Sequence, residues 1–451
     1  MLRAVSCLTI ALGVCAQTPV SFERDLKPIL ARRCLACHQP SGPQSGLSLE
    51  SVASFQKGGA KGAAFVAGQP EQSLVMKYLA AEMKPSMPLG GKLLPAEQVE
   101  LFRRWIREGA KDDSVAADPT LVSSAPKVPV YKQSPLITAV AFSADGRSMA
   151  VSGYHEILLH EMSGGRPVKL AARLPGRAMR IHGLAFSPDS KTLVATGGDP
   201  AQSGEVQVWD VATRTLRFET KLSGDTFFGV ALSPDGTRAA FTGADKSIRL
   251  YDVVAGKEIR KMDHHEDWAF ATVFGIDGKR LVSVGRDRAA KLIDASTGAF
   301  VENVNLLRDS LTTIARHPRR DWVLVGGQDR TPYLYRMDRP RAMRIADDST
   351  LIRQFAKQDG PILAVAFSPD GSRIAVGAEA GPVRVYDTET GEVVASCTGH
   401  QGGIYAVQFV PDGSGLMAAG FDGELRFYDL KGGLQMAYTP VPIGAAQAAG
   451  R

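Results

Sequence analysis

A pattern that returns seven times sets the strongest limit on what this 451-residue chain can fold into. An apolar run ends near Phe142, Phe186, Leu232, Phe274, Arg316, Phe367 and Phe409. Most copies then enter the same kind of turn: Ser187-Pro-Asp-Ser190, Ser233-Pro-Asp-Gly236, Ser368-Pro-Asp-Gly371 or Val410-Pro-Asp-Gly413. Proline presets one backbone angle and the following residues close the bend, so each turn joins two antiparallel strands. A second marker, an acid after a mostly aromatic position, keeps step with the first. It falls at His160-Glu161, Trp209-Asp210, Tyr251-Asp252, Ile293-Asp294, Tyr386-Asp387 and Tyr428-Asp429, with Tyr335-Arg336 in the fifth copy. Successive second markers lie 42 residues apart in four of six intervals, and inserted loops lengthen the others. A period of this length belongs to a repeat architecture in which each unit buries its faces against its neighbours.

These markers resemble those of the WD-repeat family. The resemblance implies an all-β, seven-bladed propeller over residues 128–440, followed by a tail at 441–451, each blade a four-stranded antiparallel sheet. Residues 128–133 precede the first full copy and are expected to complete the last blade. The 46 glycines and 26 prolines suit a protein with many turns. His265 lies nine residues before Phe274 and twenty-two before Asp287, and His400 holds the same spacing to Phe409 and Asp422. Both pairs match the family's structural histidine and acid, which hydrogen-bond across a blade, whereas His264 is expected to be a free surface residue. Asp199, Asp245, Asp287, Asp329 and Asp422 each follow the first marker by thirteen residues and read as turn acids. His182 and His317 have no partner legible in the sequence, and Cys397 reads as a buried apolar residue rather than a reactive thiol.

The chain opens differently. Arg3 and the apolar run 4–14 precede Val14-Cys15-Ala16, which predicts a signal peptide over residues 1–16 with cleavage after Ala16. Acylation at Cys15 is the less favoured alternative, because Val14 is larger than a lipoprotein motif normally allows. No other segment is apolar for long enough to span a bilayer, so the expected location is periplasmic or secreted. A net charge of +6 with scattered basic residues argues against dedicated nucleic-acid binding. Residues 113–127 turn to Asp, Ala, Ser and Pro without periodicity and read as a linker, which leaves 17–112 as a separate domain.

That domain carries Cys34-Leu-Ala-Cys-His38, the spacing of c-type haem attachment. Two thiols three residues apart can each bond one vinyl group of a single porphyrin, and the next residue can ligate the iron. Zinc would require further ligands, yet residues 17–115 hold no other cysteine or histidine. A thioredoxin-like motif would require a βαβ setting, which is missing. A second histidine from this domain cannot serve as the sixth ligand, leaving Met76, Met83, Met87 or an open position. Met87 is preferred because it sits in the stiff, non-helical loop Lys84-Pro-Ser-Met-Pro-Leu-Gly-Gly91, with Met83 as its main rival. Met76 falls in an apolar helical run, where a core role is expected. Helices are predicted around Asp25–Leu30 and, after Pro95, along Val99, Phe102, Trp105 and Ile106, with Gly109 ending the second.

The segment 20–111 resembles the small cytochrome c domain of planctomycete- and acidobacterium-type secreted proteins. The matching stretches are Pro28-Ile29-Leu30, Cys34-Leu-Ala-Cys-His38, Gly46-Leu-Ser-Leu49, Gly68-Gln-Pro-Glu-Gln-Ser73, Met87-Pro88 and Trp105-Ile-Arg-Glu-Gly-Ala110. The resemblance implies a small all-α fold, one covalent haem c on Cys34 and Cys37, and His38 with Met87 as axial ligands. Leu89 departs from the second proline common in the family. The function expected is one-electron transfer to an unidentified redox protein, with the propeller as a platform for a protein or ligand, polymers included. Two alternatives stand beside it: a propeller-based oxidoreductase whose electrons leave through the haem domain, and an open-site haem sensor or peroxidase. The sequence offers no Ser/His/Asp order, no nucleotide-binding loop and no second haem motif, so no catalytic residue is assigned.

Overall fold

A computed structural model of the chain describes residues 19–35, 37–38, 44–49, 52–89, 92–112, 128–306, 308–339 and 348–443. The expected signal peptide, the linker and residues 444–451 lie outside the described residues, as do Ala36, Gly90 and Gly91. The chain is mostly β, and it divides into two compact units, Met1–Ser123 and Ser124–Arg451. Among the described residues, no helix is long and apolar enough to cross a membrane.

The first unit is built on short helices. Ser21 caps a π-helical turn, Phe22–Leu26, by accepting from the Arg24 amide at 2.9 Å, and the chain continues into α1, Lys27–Arg33. Pro28 suits that start, where no helical partner for its amide is needed. α2 (Val52–Lys57) and α3 (Leu74–Leu79) are single short segments, and α4 (Ala96–Arg107) begins after Pro95. Phe102, Trp105 and Ile106 recur at helical spacing and are buried, and Gly109 turns the chain away in the left-handed region (φ 96°). Phe22, Phe55 and Phe65 surround the Trp105 ring at centroid distances of 5.4, 6.2 and 5.0 Å. The Trp105 indole N–H donates to the Lys111 carbonyl at 3.0 Å. Trp105 is therefore the centre of the core, and Met76 packs into the same cluster as expected.

Among the described residues, the second unit holds six antiparallel sheets, one of seven strands and five of four. The innermost strands are Val140–Phe142, Arg166–Phe186, Phe227–Leu232, Ala269–Phe274, Leu311–Arg316, Ile362–Phe367 and Ile404–Phe409. Each contacts the next in that order, and the last contacts the first, so the circuit closes. The architecture is propeller-like. Residue type follows distance from the axis. Second strands such as Arg373–Ala378 (Arg-Ile-Ala-Val-Gly-Ala) are buried on both faces and small. Outer strands such as Lys257–Met262 (Lys-Glu-Ile-Arg-Lys-Met) are mostly exposed and charged. Six of the seven inner strands carry a register shift, five near their start, as between Ala269 and Ala271 or Ile404 and Ala406, and Arg166–Phe186 late, between Ile181 and Gly183. Such bulges increase local twist, which suits strands crowded around one axis.

Two features differ from expectation. The seven-stranded sheet joins the first two repeats through one strand, Arg166–Phe186, which pairs with Tyr154–Ser163 along one half and Thr192–Asp199 along the other. The last repeat has its own fourth strand, Leu434–Tyr438, so residues 128–133 do not supply it. They contribute a single parallel bridge, Tyr131 to Ile443. The first and last repeats are nevertheless tied: the Ile137 amide donates to Gly420 O (2.9 Å) and the Gln408 side chain to Val140 O (2.8 Å). Ile137, Val140, Met149, Met417, Leu425 and Phe427 share one buried cluster across this seam.

The Ser-Pro-Asp turns use their side chains. Ser368 Oγ donates to Asp370 at 2.6 Å and accepts from the Arg373 amide at 2.9 Å, closing the bend that Gly371 completes at φ 79°. A Cβ at Gly371 would meet His317 Nε2 at 2.3 Å. His317 is held between Trp322 and Phe367 and cannot swing clear. Gly371→Ala is expected to lower unfolding stability by about 1–3 kcal/mol, measured by denaturant melting at neutral pH. A change below about 0.5 kcal/mol would show that the turn relaxes freely.

Candidate functional site

α1 ends where the cysteine motif begins. The Cys34 and Leu35 amides both donate to Leu30 O, at 2.9 and 3.0 Å, and Cys34 leaves helical geometry at φ −131°. Its carbonyl then accepts from the Cys37 amide at 3.2 Å and the His38 amide at 3.1 Å. The motif is thus a hydrogen-bonded turn following the helix rather than part of it. Both cysteines are free thiols, Cys34 half-buried against the helical core and Cys37 exposed. Burial pushes the Cys34 thiol up to about 11, so it is protonated at neutral pH. Redox-active Cys-x-x-Cys pairs instead depress a thiol toward the thiolate.

His38 is fixed from two sides. Its carbonyl accepts from the Leu49 amide at 3.0 Å, and its ring Nδ1 lies 3.2 Å from Leu47 O. A carbonyl can only accept, so Nδ1 is the donor in this contact and Nε2 is left outside it. The Leu47 carbonyl is the His38 partner that sequence reasoning missed. Gly46-Leu-Ser-Leu49 was visible as a matching stretch, but a backbone acceptor leaves no side-chain signal.

Met87 lies on the loop after α3, partly buried, with its amide donating to Tyr78 O at 3.2 Å. Lys84–Pro85 and Met87–Pro88 are cis. Met83 is also partly buried, and its amide donates to Lys77 O at 3.2 Å. Cys34, Cys37 and His38 therefore share one turn, and Met87 belongs to a separate loop. Among the described residues, no group of three or more His, Cys, Asp or Glu comes together to hold a metal ion. The donors present are two unpaired thiols, one oriented imidazole and loop thioethers. That set fits a c-type haem, in which the macrocycle supplies the other iron ligands.

In the second unit, His265 bonds as expected. Nδ1 lies 2.9 Å from Asp287 Oδ1, and Nε2 lies 2.8 Å from Ser283 Oγ. Burial raises the Asp287 carboxyl, but the His265 hydrogen bond and charge outweigh this and hold it at about 2. His400 departs from the pattern: its Nδ1 stands 3.7 Å from Asp422, and Arg426 lies between them, bonded to both. Ala418 occupies the place of Ser283, which leaves His400 Nε2 buried without a partner among the described residues. Burial, reinforced by Arg426, lowers His400 to about 4.

His264 is not free, since its Nε2 lies 2.7 Å from Gly298 O. His317 accepts from the Arg319 amide at 3.0 Å, and the His182 ring packs on Phe228. The turn acids accept backbone amides, as Asp199 does from Met179 and Asp329 from Thr331. Cys397 is buried, and burial pushes its thiol up to about 12.

Two modules of different character make up this chain: a cytochrome c-like domain and a β-propeller of the WD type. The sequence model of the Planctomycete cytochrome C family matches residues 34–88, and that of the Nucleolar protein 10-like, N-terminal domain family matches residues 177–433. The second match covers more than half of the chain, which belongs to that β-propeller family. The chain is also similar to Protein groucho of Drosophila melanogaster, 29% identical over 128 residues. That stretch is 28% of this chain and 17% of the groucho protein.

Proposed function

We propose that the chain is an exported mono-haem c-type cytochrome that passes single electrons, with a seven-bladed propeller as its docking platform. In this reading residues 1–16 direct export to the periplasm or beyond, and 17–112 form a small all-α haem domain. Residues 113–127 link it to a propeller over 128–440, and 441–451 are a tail. The closed circuit of inner strands supports seven blades, two of them sharing the long strand Arg166–Phe186. The partners are a redox protein and, at the propeller, another protein or a ligand.

The observation that carries the electron-transfer reading is the contact between His38 Nδ1 and Leu47 O, which leaves Nε2 available on the residue following Cys37. Cys34 and Cys37 would hold the macrocycle, and His38 and Met87 the iron. When bound, haem c supplies a one-electron couple, and a thioether ligand favours the reduced state. The chain itself provides orientation and a rigid mount. Backbone bonds at 3.1 and 3.0 Å pin His38 on both sides, and the Trp105 core supports the helix that leads into the motif. The Tyr78 carbonyl tethers the Met87 loop through the Met87 amide.

Optical spectra of the haem-loaded chain in both redox states, beside Met87→Ala, test this reading. The ferric wild type is expected to show a methionine-to-iron charge-transfer band that Met87→Ala abolishes. A high-spin wild-type spectrum unchanged by the substitution would refute the six-coordinate carrier and favour the open-site sensor or peroxidase.

A further inference from the structure

In the second unit, the ends of five of the seven inner strands line an open cavity of about 370 Å³. Phe142, Phe186, Leu232 and Phe274, the first markers of repeats one to four, line it together with Arg316, the first marker of repeat five. One cation thus stands in a mixed wall, in which Phe142 and Phe186 are partly exposed while Phe274 is buried beneath Arg238. Two serines, Ser187 and Ser233, also line the cavity, but their hydroxyls donate to Asp189 and Asp235 in their own turns, each at 2.5 Å. Arg316 donates from Nη1 to the His317 carbonyl at 2.9 Å and makes a longer contact with Pro318 O at 3.4 Å. Among the described residues, no carboxylate forms an ion pair with it. Asp321, the acid nearest in sequence, accepts from the Ile276 amide at 2.9 Å and reaches Arg316 only through its charge, without an ion pair.

A half-buried guanidinium has lost part of its hydration, and two neutral carbonyls replace little of it. Its other donors form a planar fork that matches a carboxylate. Among the described residues, Arg316 is the one cation that lines the cavity, and nearby turn amides already donate to the turn aspartates, as Thr237 does to Asp235. The volume lies near the lower end of the range of about 300–1,000 Å³ typical of small-molecule sites. We propose that this cavity binds a carboxylate on an aromatic body, with Arg316 pairing the carboxylate and the phenylalanine wall covering the ring. The site is independent of the haem assignment.

Isothermal titration of the full-length, haem-loaded protein with 3-phenylpropionate tests the proposal, with 3-phenylpropanamide and sulfate as comparisons. The acid is expected to bind saturably, and both the neutral amide and sulfate about tenfold more weakly or worse. Arg316→Met is expected to lose about tenfold or more in affinity for the acid, and Arg316→Lys to fall between. A peptide ending in a free Phe carboxylate distinguishes the source: tighter binding than 3-phenylpropionate assigns the site to a protein C-terminus, weaker binding to a free acid. Unchanged affinity in Arg316→Met would overturn the proposal. So would equal binding of acid and amide, a wild-type comparison that does not depend on the variant folding. Absence of saturable acid binding would overturn it as well, whatever the haem spectrum shows.

Discussion

A full-length chain carrying both Cys34→Ala and Cys37→Ala is expected to emerge from c-type maturation with no covalently bound haem. The readout is haem staining of denatured protein on a gel, where only covalent attachment survives. The expected effect is all or none, because these are the only cysteines between residues 17 and 115. Each single variant retains one anchoring thiol, so partial staining is expected from either. The propeller should be indifferent, since neither cysteine belongs to its clusters and each unit has a core of its own. Its melting transition is therefore the control for folding. Covalent haem persisting in the double variant would remove the cysteine motif from the proposed mechanism.

Arg173→Ala is expected to cost about 3–5 kcal/mol of propeller stability, read from denaturant melting. Glu156 is fully buried, and Arg173 meets it through two nitrogens at 2.8 and 2.5 Å. Tyr131 donates to the same carboxylate at 2.6 Å, and Arg173 also donates to Pro129 O at 2.7 Å. Removing the guanidinium leaves a buried carboxylate with one remaining donor and releases the segment that bridges to Ile443. Replacing both partners with apolar residues, as in Arg173→Met with Glu156→Leu, should recover much of the loss, because no charge is then stranded. A loss below about 1 kcal/mol in Arg173→Ala would mean that water reaches Glu156 once the arginine is gone.

How much could be read in advance depended on whether the signal lay in side-chain chemistry or in backbone placement. The repeat was legible because the same turn and acid recur, and His265 with Asp287 followed from their spacing together with the WD-repeat resemblance. The strand shared by the first two repeats was not legible. It runs through Leu174-Pro-Gly-Arg177, a stretch whose proline and glycine normally announce a break. Pro175 keeps its place in the ladder opposite Glu156, so pairing overrides the local signal. His400 looked equivalent to His265, but the difference sits eighteen residues on, at Ala418 instead of Ser283, and in Arg426 beside it. At the haem motif, the thiols and imidazole were plain, while the Leu47 carbonyl required the fold. Arg316 was one marker among seven in the sequence, and its place on the cavity wall required the fold.

The long strand Arg166–Phe186 also governs how this ring can breathe. Elsewhere, adjacent repeats meet through side chains packed between separate sheets, and such interfaces can part without breaking a ladder of backbone hydrogen bonds. The first and second repeats pack in the same way, with Ala141, Ala150, Ile181 and Leu193 in one buried cluster, but there a single ladder also passes from one to the other. Residues 140–223 therefore form one large cooperative block, and exchange of their amides should be governed by the whole block opening at once. Fluctuations that loosen the ring are then displaced to the other joints, above all to the seam where the two ends of the propeller chain meet.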